Sequence, residues 1–447
     1  MSRRGTWVVG VVVLLAIAGL LACRGTYMPA YDGLVIVPSF GSAAMQVFSL
    51  DLTTGRTATI DSAPTISGQP TAMVLDPTGT FAYVTIVPNA QVFQSVAAPS
   101  IAAYKIASDG TLSEAVTSLT MLSLAGAGTI SPVAMTIDSA GKFLFVADQL
   151  TANTLGNTVP GSISVFSIGS GGSLAEVAGS PFTVQPIQNG ITANLVGLAV
   201  TPTKYPVLNT QSVQNAECSL VQPLPPSTPE YLYVADANNN VVWAFNVQSG
   251  GILSPIVNPL SGVVVTFPAD SVTTGVAVDP CNRFVFVTNN NSNDVSAYAI
   301  CNGTSPARPP ICVANQYPAG YLVEVPGSPF SLGGGTTPAN GPTVLAVDPL
   351  ANFVYVVNNK SNTLSGFRIS QTSGGLAPTS PAVVNTGINP TAIAIRGDDN
   401  WLFVANNDTL NGFGVLSQYE LTPASGTLTP FGTGIQTDNY PTAVGVK

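Results

Sequence analysis

Residues 342–367 read PTVLAVDPLANFVYVVNNKSNTLSGF, and the reading of this stretch decides the architecture. A turn residue opens an apolar run, Asp348-Pro349 breaks it, and Phe353-VYV starts a second run of aromatic-x-aromatic-Val form. An Asn-rich turn leads into a third run that carries Phe367, and GGLAP at 374–378 supplies a glycine turn and a short fourth segment. Short apolar or alternating runs, punctuated by Asp-Pro and Asn clusters, are the pattern of an antiparallel β-meander.

The unit repeats along the chain. Its first strand recurs as Pro70-TAMVLD, Pro132-VAMTID, Leu195-VGLAVT, Thr273-TGVAVD, Pro342-TVLAVD, Pro390-TAIAIR and Pro441-TAVGVK. Its second strand recurs as Phe81-AYV, Phe143-LFV, Tyr231-LYV, Phe284-VFV, Phe353-VYV and Trp401-LFV. The third strand carries one aromatic per copy: Phe48, Tyr104, Phe166, Phe245, Tyr298, Phe367 and Phe413. A single four-stranded unit cannot bury both of its faces, and radial packing of the copies supplies the missing contacts. The sequence therefore predicts an all-β, seven-bladed β-propeller with four-stranded blades, formed by residues 34–447 as one domain.

The ends of the repeat predict how the ring closes. The final Pro441-TAVGVK is a first strand with nothing after it, whereas LVIVPS at 34–39 and MQVFSL at 45–50 are second and third strands with no first strand before them. The C-terminal strand is expected innermost, paired with the N-terminal strands. One position in the first strand is nearly always tiny (Ala72, Ala134, Gly197, Gly275, Ala392 and Ala443, with Val344 the exception), as crowding around an axis requires.

Composition narrows the chemistry. The 13 Lys+Arg, 22 Asp+Glu and net charge of −9 argue against a nucleic-acid partner. The absence of histidine removes a Ser-His-Asp triad and any His-ligated metal. No cofactor is expected, and no Dx[DN]x[DN]G loop supports calcium.

Residues 1–22 read as an export signal: Arg3-Arg4 precede the uncharged stretch Trp7–Ala22, which is short for a membrane span. Leu20-Leu21-Ala22-Cys23 resembles the bacterial lipobox, which implies lipidation of Cys23, with residues 23–33 as a tether. Arg24 after the cysteine favours the outer membrane by the same resemblance. The expected location is thus the cell envelope, periplasmic or surface-facing.

Four further cysteines in an exported chain read as two disulfides. They allow three pairings. First-to-second and third-to-fourth connections share one end of a meander, which favours Cys301–Cys312 as a local clamp and Cys218–Cys281 as a staple between blades. A Cys₄ metal site would want a CxxC knuckle, and there is none. Long insertions rich in Pro, Ser, Thr, Asn or Gln at 203–230, 301–319, 86–100 and 149–161 read as loops.

The second-to-third-strand turns gather Asn and Asp at the opposite end. Asp148, Asp236, Asp294, Asp408, Asn289, Asn358 and Asn406 are the candidate ligand-binding residues there. They either cap their own turns or ring a polar funnel for a small polar ligand, a glycan or an ion. Asp148 and Asp236, at matching places in adjacent blades, are the candidate carboxylate pair. Arg283, Arg368 and Arg396 are candidate anion binders.

The strings VDPLANFVYVVNNKSNTLSGF at 347–367 and VDPCNRFVFVTNNNSNDVSAY at 278–298, with GSPF at 179–182 and 327–330, resemble the repeats of YVTN-type and lactonase-like propellers. That group includes bacterial 6-phosphogluconolactonase-type proteins. The resemblance implies a seven-bladed propeller and, for the catalytic members, hydrolysis of a sugar lactone. The first expectation is a lipid-anchored, monomeric binding module, without catalysis, for a protein or glycan partner. The alternative is a lactonase-like hydrolase that opens a sugar lactone with an Asp/Glu-activated water.

Overall fold

The structure, a computed structural model, describes residues 33–447 except 61–63, 65, 89–97, 122–130, 150, 153–157, 185–190, 203–228, 259–263, 302–308, 314–315, 334–338 and 409. Cys23, Cys218, the lipobox and most of the long insertions therefore lie outside the described residues.

Seven antiparallel sheets form the blades, six of them ordered by sequence from an inner first strand outward. Blade 6 shows the plan: Pro342–Val347, Phe353–Asn358, Thr363–Ile369 and Leu376–Asn385. The inner strands of blades 2 to 7 begin at Gln69, Ser131, Leu195, Thr273, Pro342 and Pro390. Each packs against the next around a closed ring. In blades 3 to 5 the fourth strand comes in two pieces that both pair with the third strand, such as Leu174–Glu176 and Phe182–Thr183. The two GSPF segments mark that interruption in blades 3 and 5. The insertion at 149–161 is not wholly loop, because Thr151–Ala152 pairs with Thr158–Val159.

Blade 1 closes the ring. Gly445–Val446 pairs with Gly33–Ser39, joining Val35 to Val446 and Ile36 to Gly445, and Ser39 bridges Pro441. Backbone bonds from Lys447 N to Leu34 O (2.8 Å) and from Thr442 N to Pro38 O (3.0 Å) extend the pairing. The closing strand is innermost, as its sequence position predicts.

The second strands are apolar on both faces because both faces are buried. Successive side chains point to opposite sides of a strand. Phe353, Tyr355 and Val357 accordingly pack towards blade 7, while Val354 and Val356 pack towards blade 5. The core is divided in this way into seven clusters, one at each blade junction. The third-strand aromatics stand opposite the second residue of the second strand in most blades, as in Tyr104 against Ala82 and Phe367 against Val354. In blade 7 that place belongs to Tyr419, paired with Leu402; Phe413 sits half-buried at the start of an unusually long strand, opposite Asp408. The longer strand shifts the aromatic away from the turn, so spacing from the turn picks the wrong residue.

The tiny position follows a register irregularity in the inner strand, as between Pro70 and Ala72 or Pro390 and Ala392. A Cβ at Gly275 would lie 2.7 Å from the backbone oxygen of Thr343 in the next inner strand. A backbone atom inside a ring cannot step aside cheaply. Gly275→Val should cost about 1–3 kcal/mol through overpacking, read by calorimetry as a lower Tm. An unchanged Tm would show that the inner strands are not in close contact.

Cys301 and Cys312 are disulfide-bonded with Cα atoms 5.3 Å apart, and Cys281 is also in a disulfide. The local clamp is as predicted; the expected partner of Cys281, Cys218, is outside the described residues.

Candidate functional site

Asp148, Asp236, Asn289, Asn358 and Asn406 occupy one equivalent position, the partner of the inner strand's start: Pro132, Leu195, Thr273, Pro342 and Pro390 respectively. All five are buried. The Asn amides donate across to the third strand: Asn289 Nδ2 to Asp294 Oδ1 (2.7 Å) and Ser296 Oγ (2.9 Å), and Asn358 Nδ2 to Ser365 Oγ (2.9 Å). Asn406 Nδ2 likewise donates to Ser417 Oγ (3.0 Å). These bonds tie second strand to third.

The two aspartates considered as a pair have different surroundings. Asp236 is saturated: it accepts from the backbone of Asn194, Asn238 and Asn239, from Asn239 Nδ2 (2.7 Å) and from Trp243 Nε1 (3.0 Å). Asp148 accepts from Ser162 and Ser164 through Oδ2, and burial pushes its carboxyl up to about 7. The charged group that acts on Asp148 is Glu176. Asp408 caps its own turn through Leu410 N, Asn411 N and Asn411 Nδ2. Burial raises the carboxyl of Asp294 against the lowering bond from Asn289.

Two of the three candidate arginines are structural. Arg283 is buried, bonded to Asp279 Oδ2 (2.7 Å) and Gln371 Oε1 (2.7 Å). Arg368 lies over the Phe353 ring and donates to Ala424 O (2.8 Å). Arg396 is different.

A cavity of about 460 Å³ opens at the end opposite the Asn-rich turns, lined by Asp76, Thr78, Arg396, Asp398 and Lys447 over Leu52, Leu75 and Val446. Its position follows from the closure. Blades 2 to 7 carry a connection between first and second strands at this end, but in blade 1 those strands come from opposite ends of the chain, so no such connection covers it. None of the Asn-rich-turn candidates lines it.

The residue just past the inner strand explains the cavity's charge. In chain order it is Asp76, Asp138, Thr201, Asp279, Asp348, Arg396 and Lys447. The aspartates tie down the following turn: Asp138 Oδ1 accepts from Lys142 N (2.6 Å) and Phe143 N (2.8 Å), and Asp348 Oδ1 from Asn352 N and Phe353 N. Blades 7 and 1 put cations at that position, and both face the cavity. Arg396 Nη1 is ion-paired with Asp398 Oδ2, and Arg396 Nε donates to Lys447 O (3.3 Å). The Lys447 chain lies over Gly79, whose φ of +64° suits glycine, and a Cβ there would meet the lysine methylenes at about 3 Å. Asp76 accepts from Thr78 and from the backbone of Thr80 and Phe81.

Of the three arginines that the sequence offers as anion binders, Arg396 alone lines the cavity, at the end opposite the expected Asn-rich site. The sign change from Asp to Arg and Lys across the seven copies is the signal that marks the cavity. Among the described residues, no group of three acidic or cysteine side chains converges as a metal site.

Against known proteins, a family model described as lactonase, 7-bladed β-propeller, matches residues 327–446, which takes in the outer edge of blade 5, blades 6 and 7 and the closing strand. No curated protein matches this chain. The fold is a lactonase-like seven-bladed propeller. A putative 6-phosphogluconolactonase from Bacteroides uniformis is 17% identical, with 93% of this chain and 100% of that one covered and a TM-score of 0.64. The periplasmic gluconolactonase of Pseudomonas aeruginosa is 17% identical, covering 93% and 98%, with a TM-score of 0.66. A Lactobacillus plantarum protein is 16% identical, covering 93% and 99%, with a TM-score of 0.62. Identities this low carry the fold alone. The matched segment includes Arg396 and Asp398.

Proposed function

We propose that this chain is a lactonase-like hydrolase that binds a sugar lactone in the blade 1 cavity and opens it with water. The observation that carries the reading is the pair of cations, Arg396 and Lys447, at the position where the other copies hold Asp or Thr, both facing the cavity with Asp76 and Asp398 beside them. The guanidinium and ammonium suit the lactone carbonyl oxygen as it becomes an oxyanion. Asp398 Oδ2, held by Arg396 in the free protein, is released as the guanidinium turns to the carbonyl. It then takes a proton from the attacking water. The new C–O bond forms, the ring C–O bond breaks, and the proton passes to the ring oxygen, which leaves as a hydroxyl.

Export and lipidation at Cys23 belong to the same proposal. Arg3-Arg4, the uncharged stretch and Leu20-Leu21-Ala22-Cys23 support it, as does a disulfide between Cys301 and Cys312. A second reading, binding without turnover, is favoured by Asp76, whose two oxygens are already engaged by its own turn. Purified protein with gluconolactone-type substrates separates the two. Hydrolysis above the spontaneous rate, lost in Arg396→Ala, is the expected result. Ligand binding without acceleration would leave the second reading, and neither binding nor acceleration would remove both.

A further inference from the structure

We infer that the cavity end of the propeller is the end that rests on the lipid bilayer, with the Asn-rich turns facing away; this depends on the reading of Cys23 as the lipidated residue. The first described residue, Gly33, starts the second strand of blade 1 at this end. It lies against Lys447 and Leu52, both of which line the cavity. The tether thus leaves the propeller at the cavity's edge, close to the axis.

Its length sets the orientation. Ten peptide units separate Cys23 from Gly33 and reach at most about 35 Å when fully extended. To turn the Asn-rich end to the bilayer, the tether must cross two outer strands, roughly 10 Å with side chains still to add. It must then run the length of a seven-residue strand, about 23 Å. That path uses the whole reach. With the cavity end down, no such detour exists.

The cations agree. Every described lysine and arginine except Lys360 lies at the cavity end, and Arg56, Lys105, Lys142, Arg368 and Lys447 are exposed there. Exposed Asp51, Asp109, Glu114, Glu324 and Glu420 share that end and match the five exposed cations in number, so the cations act as local partners for phosphate headgroups and not as a net field. The tether brings the surface to the lipid, and the cations meet it.

The full chain on vesicles of phosphatidylethanolamine and phosphatidylglycerol (7:3), carrying a headgroup photo-crosslinker, tests this. Cross-linked peptides are mapped by mass spectrometry. The expected result is at least five-fold more cross-linking at the turns 51–56, 107–111 and 396–400 than at 290–293, 359–362 and 410–412. Equal or reversed labelling overturns the inference. The mass of the N-terminal peptide tests lipidation separately, and coupling Cys23 to a maleimide lipid measures the orientation even if the native chain carries no acyl group.

Discussion

Deleting Tyr440–Lys447 should leave no cooperatively folded propeller at room temperature. These eight residues are the inner strand of blade 1, and two junctions depend on them. Val444 is part of the cluster between blades 7 and 1, and Ala443 packs on the cluster between blades 1 and 2. Gly445 fits against Met73 and Leu75, and Thr391 Oγ1 of blade 7 donates to Pro441 O (2.9 Å). Without the strand, Gly33–Ser39 becomes an open edge at the axis, and its buried backbone loses the partners that each contribute about 1 kcal/mol. Apolar surface exposed at both junctions adds several kcal/mol more at roughly 25 cal/mol per Å². Domains typically have only about 5–15 kcal/mol to lose. Circular dichroism and calorimetry on the truncated chain check this. A sharp transition within a few degrees of the intact protein would contradict ring closure by this strand.

The second large effect is on pH dependence, and it runs against the usual direction for carboxylates. Asp348 and Asp399, both buried, interact across the junction of blades 6 and 7. Burial raises both carboxyls, and Asp348 raises Asp399 further. Asp279 acts on Asp348 and Asp398 on Asp399, while the neighbouring Tyr355 hydroxyl donates away, to Gly426 O. Burial likewise pushes Glu230 up to about 8 and Asp148 up to about 7. In the unfolded chain these groups titrate near 4. Between about pH 4 and pH 9 the folded protein therefore holds more protons than the unfolded one, and stability falls as pH rises. Each such group costs roughly 1.4 kcal/mol per pH unit over its own window. The Tm should be clearly higher at pH 5 than at pH 9. Asp399→Asn, which cannot ionise, should flatten the slope and raise the Tm at pH 9. A Tm that rises from pH 5 to pH 9, or an Asp399→Asn slope equal to that of the parent, would contradict the buried pair.

The fold was legible because a propeller repeats its physics. Second strands need two apolar faces, all inner strands but that of Val344 hold a small residue at one register, and the turns draw on Asp, Asn or Gly, so the copies reinforce one pattern. Phe413 shows the limit of spacing: a few extra residues of strand in blade 7 hand the aromatic position to Tyr419. The site was harder to read. Asn289, Asn358 and Asn406 drew attention by number, but their amides serve the third strand. Arg396 and Lys447 stand out only when the last position of the inner strand is compared across copies. The Asp348–Asp399 contact is less visible still. Asp399 takes the left-handed turn position, with φ of +61°, that Gly79 and Gly141 take in other blades, and only the stacking of blades brings it against Asp348.

The most direct test of the proposed activity is the rate of lactone opening by Asp398→Asn, measured beside ligand affinity on the same preparation. Loss of the proton acceptor should lower kcat by about 10²-fold or more while affinity, which rests on Arg396 and Lys447, stays within a few-fold. An Asp398→Asn protein that opens the lactone as fast as the parent, or a parent no faster than water, would contradict catalysis at the blade 1 cavity.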